Sequence, residues 1–397
     1  MAGSITALGT TYNLPNYTGI LHQLTPDDTP FFASIGGLSG GGQTTATQFE
    51  WETFDLRAAG QNTALEGADA PTPQNRIRGS VDNICQIHHE TVGVSYTKLA
   101  AIGQRSGLNI DAPQPVANEL DWQVTNMLKQ MVRDTEWSFI NGQYQKPTDN
   151  TTVRKTRGML QAITTNVQNM GTALGSAAGA ISTDAFTLNA HGLVAGDQVV
   201  LDTIATLTGL APDTPYFVVS PTTNTFKLAA TKNGAAIDLT GGDGTANVTK
   251  LVPVAKAAID RLMQQVFDNG GITEAGTAAL VAGSSVKRGL SDAYANSFGK
   301  FHETTRNVGG VNLQTIETDF GVLNIMLDRH MPKHKLMVAS LEQCMPVYLE
   351  TPGKGHFFAE PLAKIGAKET TQLYGEVGLA YGNERSHGQA TGFLVDF

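Results

Sequence analysis

Lysine is missing from the first 97 residues of this chain, and cysteine from all but two of its 397 positions. Cys85 and Cys344 are too few and too far apart to form a disulfide framework. Because Lys98 is the first lysine, the glycine-rich GGLSGGGQTT at 36–45 cannot be a phosphate-binding loop, which needs Gly-Lys-Ser/Thr at a helix start. Charge is scarce: 16% of residues are charged, with a formal net charge of −9 and a pI near 5.5. A nucleic-acid binder would instead carry a basic stripe. No apolar run approaches the roughly 18 residues that span a bilayer. The opening MAGSITALGTTYNLPNY has neither the basic nor the apolar part of a secretory signal. The chain reads as soluble and made in the cytosol. No G-x-S-x-G elbow occurs and neither cysteine sits in an activating motif. Pro332 stands between His330 and His334, and His88 and His89 are strand neighbours pointing to opposite faces. No catalytic residue, metal, cofactor or small-molecule substrate is therefore expected. A hydrolase using Glu66 and Asp69 is the enzymatic rival.

What is present divides the chain into stretches of different character. With 41% hydrophobic residues and 43 glycines it can bury cores for two or three domains and still be loop-rich. Residues 1–45 hold little periodic pattern: turns at Pro26 and Pro30, an aromatic pair at Phe31 and Phe32, then a glycine-rich tether. Such a segment buries too little to fold alone and must lie across something else. TQFEWETFDL then alternates Phe49 and Trp51 with Gln48, Glu50 and Glu52, the period of a half-buried strand. The returning run, VDNICQIHHETVGVSY, carries Val81, Cys85 and Ile87 at odd positions but Val92, Val94 and Tyr96 at even ones. That change of face predicts a bulge or strong twist near His88 to Thr91. Between the strands lies FDLRAAGQNTALEGADAPTPQNRIRGSV, residues 54–81, whose interior has hardly a large apolar residue beyond Leu65 and Ile77. A loop this long inside a compact domain means function or disorder. We expect a bent two-stranded arm whose packing partner is another copy of the chain.

A long helix follows, over about 113–141, with Asp111 as cap and Pro113 or Pro115 in its first turn. Leu120, Val124, Met127, Leu128, Met131 and Val132 form its stripe, Trp137 and Ile140 extend it, and Asn141-Gly142 ends it. From 171 to 250 there is no Arg, Glu, Trp or Met. Short runs AFTLNA, DQVVLDT, PYFVVSP, NTFKLAAT, AAIDLT and ANVTKLV alternate with turn clusters, the pattern of a small all-β sandwich or barrel. GTALGSAAGA reads as a flexible linker ahead of it. Helical periodicity returns in VPVAKAAIDRLMQQVFDNGG, with Ile259, Leu262, Met263, Val266 and Phe267 on one face and Gly270 as a stop. TAALVAG reads as a buried strand, SSVKRGLSDAY as a helix starting at Ser284 or Ser285, and GVLNIML and HKLMVAS as further strands. The closing TTQLYGEVGLAYGNERSHGQATGFLVDF reads as another strand pair.

This order, and the wording of NYTGILHQLTPDDTPFFASIGG, FEWETFDLRAAGQNTALEGADAP, VSYTKLAAIGQ and EVGLAYGNERSHGQATG, resembles the tailed-phage major capsid proteins of the Hong Kong 97 fold. The insertion resembles β-rich modules of phage structural proteins. The resemblance implies an α+β Hong Kong 97-like capsid fold with an inserted small all-β domain. By it, 1–45 is the N-arm, 46–96 the E-loop, and 97–170 the peripheral domain with its spine helix. Residues 171–250 are then the insertion, 251–364 the axial domain, and 365–397 the strands returning to the peripheral domain. It implies hexamers and pentamers of an icosahedral head that encloses double-stranded DNA without gripping it, assembled in the host cytoplasm. Separate scaffolding, portal and cement proteins are the implied partners, since little chain precedes the arm. Phe31, Phe32, Trp51, Arg57, Leu65, Glu66, Asp69, Arg76 and Arg78 are the expected intersubunit contacts. Some relatives cross-link a lysine of the E-loop to a neighbour; here the arm has arginines but no lysine, so a noncovalent shell is expected. The non-enzymatic rival is a tail or host-binding protein that uses the insertion as its binding surface.

Overall fold

The computed structural model describes residues 23–100, 118–149, 151–271, 278–297 and 315–395. Two sheets, one long helix and a closed barrel organise them. The first sheet is five-stranded and is built around the long strand Lys368–Ala380. Gln86–Ser95 runs antiparallel along one side of that strand, while Phe357–Pro361 and Met345–Leu349 follow one another along the other. The second sheet is six-stranded and mixed, with Ala278–Ala282 and Lys335–Ser340 at its centre. Apart from Lys335 and Ser340 at the ends of the second, these two strands are apolar because both of their faces are covered. Leu280, Ala282, Leu336 and Val338 face a core shared with helices Lys256–Asp268 and Ser284–Ser297. Val281, Met337 and Ala339 face a second core with Phe31, Phe32, Phe139, Tyr348 and Leu379.

The spine helix runs from Glu119 to Asn141 and its cap is Asn118, whose side chain accepts the Leu120 and Asp121 N–H groups. Asp111, Pro113 and Pro115 lie outside the described residues. Leu120, Val124, Met127, Leu128 and Met131 pack against Val92, Val94 and Leu373 of the first sheet. Ile140 is buried, but Trp137 is 51% exposed and so does not extend the stripe. Phe267 likewise turns outward on its helix while Ile259, Leu262, Met263 and Val266 are buried.

Further expectations are corrected. The arm changes face at Cys85, between strands Arg78–Ile84 and Gln86–Ser95, and not at His88 to Thr91. There the chain leaves its hairpin partner and joins Lys368–Ala380, with which it pairs without a bulge from Gln86 to Ser95. The closing strands are not a pair: Lys368–Ala380 belongs to the first sheet and Gly388–Thr391 to the second, and the turn Glu384–Ser386 carries the chain across. Met345–Leu349 and Phe357–Pro361 pair with Lys368–Ala380 in the first sheet, and Gly388–Thr391 and Val167–Asn169 join the second.

The insertion is a closed six-stranded barrel running from Thr172 to Lys250 around a core that includes Phe186, Leu201, Val218 and Phe226. The expected linker is itself a barrel strand, Thr172–Ala180, paired with Thr240–Lys250. Its small residues are a packing requirement: a Cβ on Gly179 would stand 2.7 Å from Leu207 Cδ1. Of the expected strand AAIDLT, only Thr240 lies in a strand.

Candidate assembly surface

The hairpin pairs Gln48–Phe54 with Arg78–Ile84, from Gln48 opposite Ile84 to Phe54 opposite Arg78. Its base is fixed to the body. The Trp51 ring meets Tyr381 edge-on at 4.9 Å, and its indole N–H donates to the Gly382 carbonyl at 2.7 Å. Phe49 lies so close over Gly378 that a Cβ there would be 2.7 Å from Phe49 Cε1. Outward from the base the hairpin loses its own chain. Every residue from Phe54 to Ser80 is exposed, with Phe54 at 68%, Leu56 at 69%, and Leu65 and Ile77 at 86%. Four large apolar side chains on one projecting loop are a liability in an isolated chain and an asset at an interface.

The expected contact residues therefore fall into two groups. Arg57, Leu65, Glu66, Asp69, Arg76 and Arg78 all lie on the exposed loop or its margin. Arg78 pairs across the hairpin with Glu52 at 2.7 Å in an exposed bridge of small energetic weight. Trp51 is half-buried against Tyr381, so most of its surface serves the hairpin's base. Phe31 and Phe32 are 0% and 2% exposed inside their own chain, which leaves them no surface to offer a neighbour. Their physical role is to anchor the segment that leads into the hairpin.

That anchor contains a buried acid that the sequence reading missed. Glu136 is fully buried on the spine helix, and its carboxyl oxygens accept the Phe31 N–H at 2.8 Å and the Phe32 N–H at 2.5 Å. Burial and the neighbouring Asp328 carboxylate push Glu136 up to about 9. Two outer bridges reinforce the same segment, Asp27 to Lys129 at 2.9 Å and Asp28 to Arg329 at 2.8 Å. A signal was available in the sequence: Val132, Glu136 and Ile140 are spaced by four, so this Glu stands in the apolar stripe.

The NERSHG run is a second connector. The Glu384 carboxylate accepts the Thr164 and Thr165 N–H groups, both at 3.1 Å, and Asn166 donates to the Arg385 and His387 carbonyls. His387 Nδ1 accepts the Ser340 N–H while Nε2–H donates to the Tyr381 carbonyl, which fixes a neutral tautomer. These bonds hold the crossing between the two sheets. The barrel is clamped too: Asp213 accepts from His334 Nε2 at 3.0 Å and Lys335 Nζ at 2.5 Å. Both cysteines are buried, and burial pushes their thiols up to about 12, far from the ionised state a nucleophile needs. Among the described residues no group of three or more His, Cys, Asp or Glu is placed to hold a metal, and no helix is long and apolar enough to cross a membrane.

The body, the projecting hairpin and the spine helix together match a family whose model covers residues 4–393, described as SU10 major capsid protein. The chain belongs to that family. The capsid protein shares its fold with solved phage-type shells. It superposes on the capsid chain of Cyanophage A-1(L) with a TM-score of 0.56 at 8% identity, covering 96% of this chain and 97% of that one. Against the capsid of a native GTA particle the TM-score is 0.53 at 11% identity, with 98% of each chain covered. No curated protein matches it. The capsid protein thus has the Hong Kong 97 type of fold, and as a major capsid protein it forms the shell of the virion.

Proposed function

We propose that copies of the chain assemble as hexamers and pentamers, and that hairpin 46–96 of each copy lies over an adjoining one. The observation that carries this is the hairpin's exposure, unbroken from Phe54 to Ser80 while its base is locked by Trp51. Each contact is modest, but a subunit that meets several neighbours makes every contact after the first effectively intramolecular. In this reading the first sheet with the spine helix is the peripheral domain, and the second sheet with its two helices the axial domain. The barrel is a bump on the shell. The protein has no catalytic role. It assembles in the host cytoplasm with scaffolding, portal and cement proteins as separate partners, and it encloses DNA without specific binding, since phosphate adhesion demands clustered Lys and Arg. With no lysine among residues 46–96 the shell is noncovalent.

Electron microscopy of the expressed chain tests the proposal. Closed icosahedral particles are the expected result when the chain is expressed together with its scaffolding protein; rings, tubes or monomers alone under that condition would overturn it. Boiled particles should run as a single band of monomer size in SDS, and a covalent ladder would refute the noncovalent shell.

A further inference from the structure

Two grooves lie open on the described surface, and they differ in charge. The first is at the hairpin base, between Phe54, Ile77 and the turn after Tyr381, and it carries Asp55 and Glu384 against Arg385 alone. The Arg385 guanidinium is already turned to Asp55 at 3.4 Å. The second, of about 390 Å³, lies between strand Gln86–Ser95 and the end of the spine helix. Its apolar lining is uncovered, with Ile87 43%, Trp137 51% and Val153 64% exposed. Its charged lining is basic: Arg154 is paired with Glu376 at 2.9 Å, and Lys155 is exposed with no ion-pair partner among the described residues.

Resting on the capsid reading, we propose that this second groove receives the hairpin tip, Leu65 to Asp69, of a neighbouring copy. The tip is complementary to it in sign. The Ala68 N–H donates to the Leu65 carbonyl at 3.1 Å, and Gly67 takes φ +77°, so residues 65–68 form a tight turn before any partner arrives. A preformed turn loses little further freedom on docking. From 58 to 75 the only charged side chains are Glu66 and Asp69, so the tip carries two negative charges and one large apolar anchor, Leu65. Leu65 matches the exposed apolar patch of Ile87, Trp137 and Val153, and the carboxylates match Lys155. The groove at the hairpin base, with two carboxylates of its own, would repel the same tip. Eleven residues separate Phe54 from Leu65, a reach of up to ~35 Å when extended, enough to cross onto an adjoining body.

The test uses the full chain with Leu65→Cys and Val153→Cys together. Cys85 and Cys344 are 0% and 4% exposed and do not compete. Oxidised particles should give covalent ladders in SDS that disappear on reduction and are absent from either single variant. Leu65→Cys with Arg385→Cys probes the first groove. In a second arm, Lys155→Glu should lose closed shells, and Glu66→Lys with Asp69→Lys in the same chain should restore them. Normal shells that give no 65–153 ladder, a ladder from the 65–385 pair instead, or normal shells from Lys155→Glu would each overturn this docking site and leave the capsid reading intact. Normal shells without the ladder are also the result if a separate protein covers Trp137. Failure of the unsubstituted chain, expressed with its scaffolding protein, to form closed particles would strike the capsid reading itself.

Discussion

The barrel and the hairpin are both β excursions from the same body, and they treat apolar surface in opposite ways. The barrel joins its edges, so its strands leave no unpaired backbone row, and core side chains such as Phe186 and Phe226 are fully buried. The hairpin has two strands, an open edge and exposed Phe54, Leu56, Leu65 and Ile77. An isolated two-stranded ribbon is marginal in water, because it buries too little to offset its ordering. The contrast teaches that one excursion is complete within a chain and the other is complete only between chains.

The largest expected effect comes from removing each in turn. Deleting Gly60 to Arg76 should leave folded monomers that form no closed shells, as read by electron microscopy and by an unchanged unfolding midpoint. Removing 173–249 is the counterpart. Thr172 and Lys250 are directly paired, so their ends already meet and can be joined. That variant should still close shells. Shells from the first deletion, or none from the second, would break the comparison.

How each excursion is rooted gives the next prediction. Glu136→Ala leaves the buried Phe31 and Phe32 N–H groups without acceptors, which should cost about 3 kcal/mol in chemical denaturation at about 1–3 kcal/mol per orphaned group. Glu136→Gln keeps one carbonyl acceptor but sets its NH2 group against the other backbone N–H, so it should cost less than the alanine variant while still leaving one of the two groups orphaned. The sign of its pH effect follows from linkage. Unfolded, Glu136 releases its proton near 4.5; folded, it keeps it up to about 9, so the folded state binds more protons between these values and loses stability as pH rises. Glu136→Gln should flatten that alkaline slope. His88 works at the other end: burial lowers it from 6.5 to about 4, so stability falls as pH drops through that window. Melting temperatures from pH 4 to 9 read both.

The hairpin was legible in the sequence because its signals are local: period-two strands around a polar interior at 55–77. The barrel was legible in its turns but not in its first strand, where Thr172–Ala180 looks like a linker until Leu207 and Phe186 are seen to need Gly179. The two body sheets were the hardest to read. Their strands are recognisable one by one, but the turn Glu384–Ser386 that switches sheets is defined by bonds to residues about 220 positions away. Phe31 and Phe32 were expected to contact another copy, and only the packing shows them buried in their own chain with their N–H groups on Glu136 of the spine helix.

The barrel's clamp is a smaller test. Burial pushes Asp213 up, but the bonds from His334 and Lys335 hold its carboxyl below the usual range. Asp213→Asn retains an acceptor for His334 and loses the charge opposite Lys335, which in this partly exposed site should cost about 1 kcal/mol. The loss should be read in hydrogen exchange as loosening where the barrel meets the body, with protection inside the barrel unchanged.

The smallest effect reports on how the barrel closes. Asp184, Ala190, Thr203, Thr206, Asp213, Ser220 and Asn233, all in the insertion, hold left-handed backbone, and among the described residues no other non-glycine does. Tight turns between strands impose this conformation at five of them and the irregular pairing of Gln198–Thr208 with Thr240–Lys250 at Thr203 and Thr206, and Asp and Asn accept it more readily than Ala or Thr. Ala190 pays most plainly, at φ 50° with a side chain too small to bond its own backbone. Ala190→Gly should therefore stabilise the barrel by about 0.5–1 kcal/mol, reduced by the extra freedom glycine gives the unfolded chain. The gain should appear as a higher unfolding midpoint, with shell formation unchanged because the barrel's closure is private to each chain. A gain in shell yield instead would mean that the barrel, like the hairpin, takes part in contacts between copies.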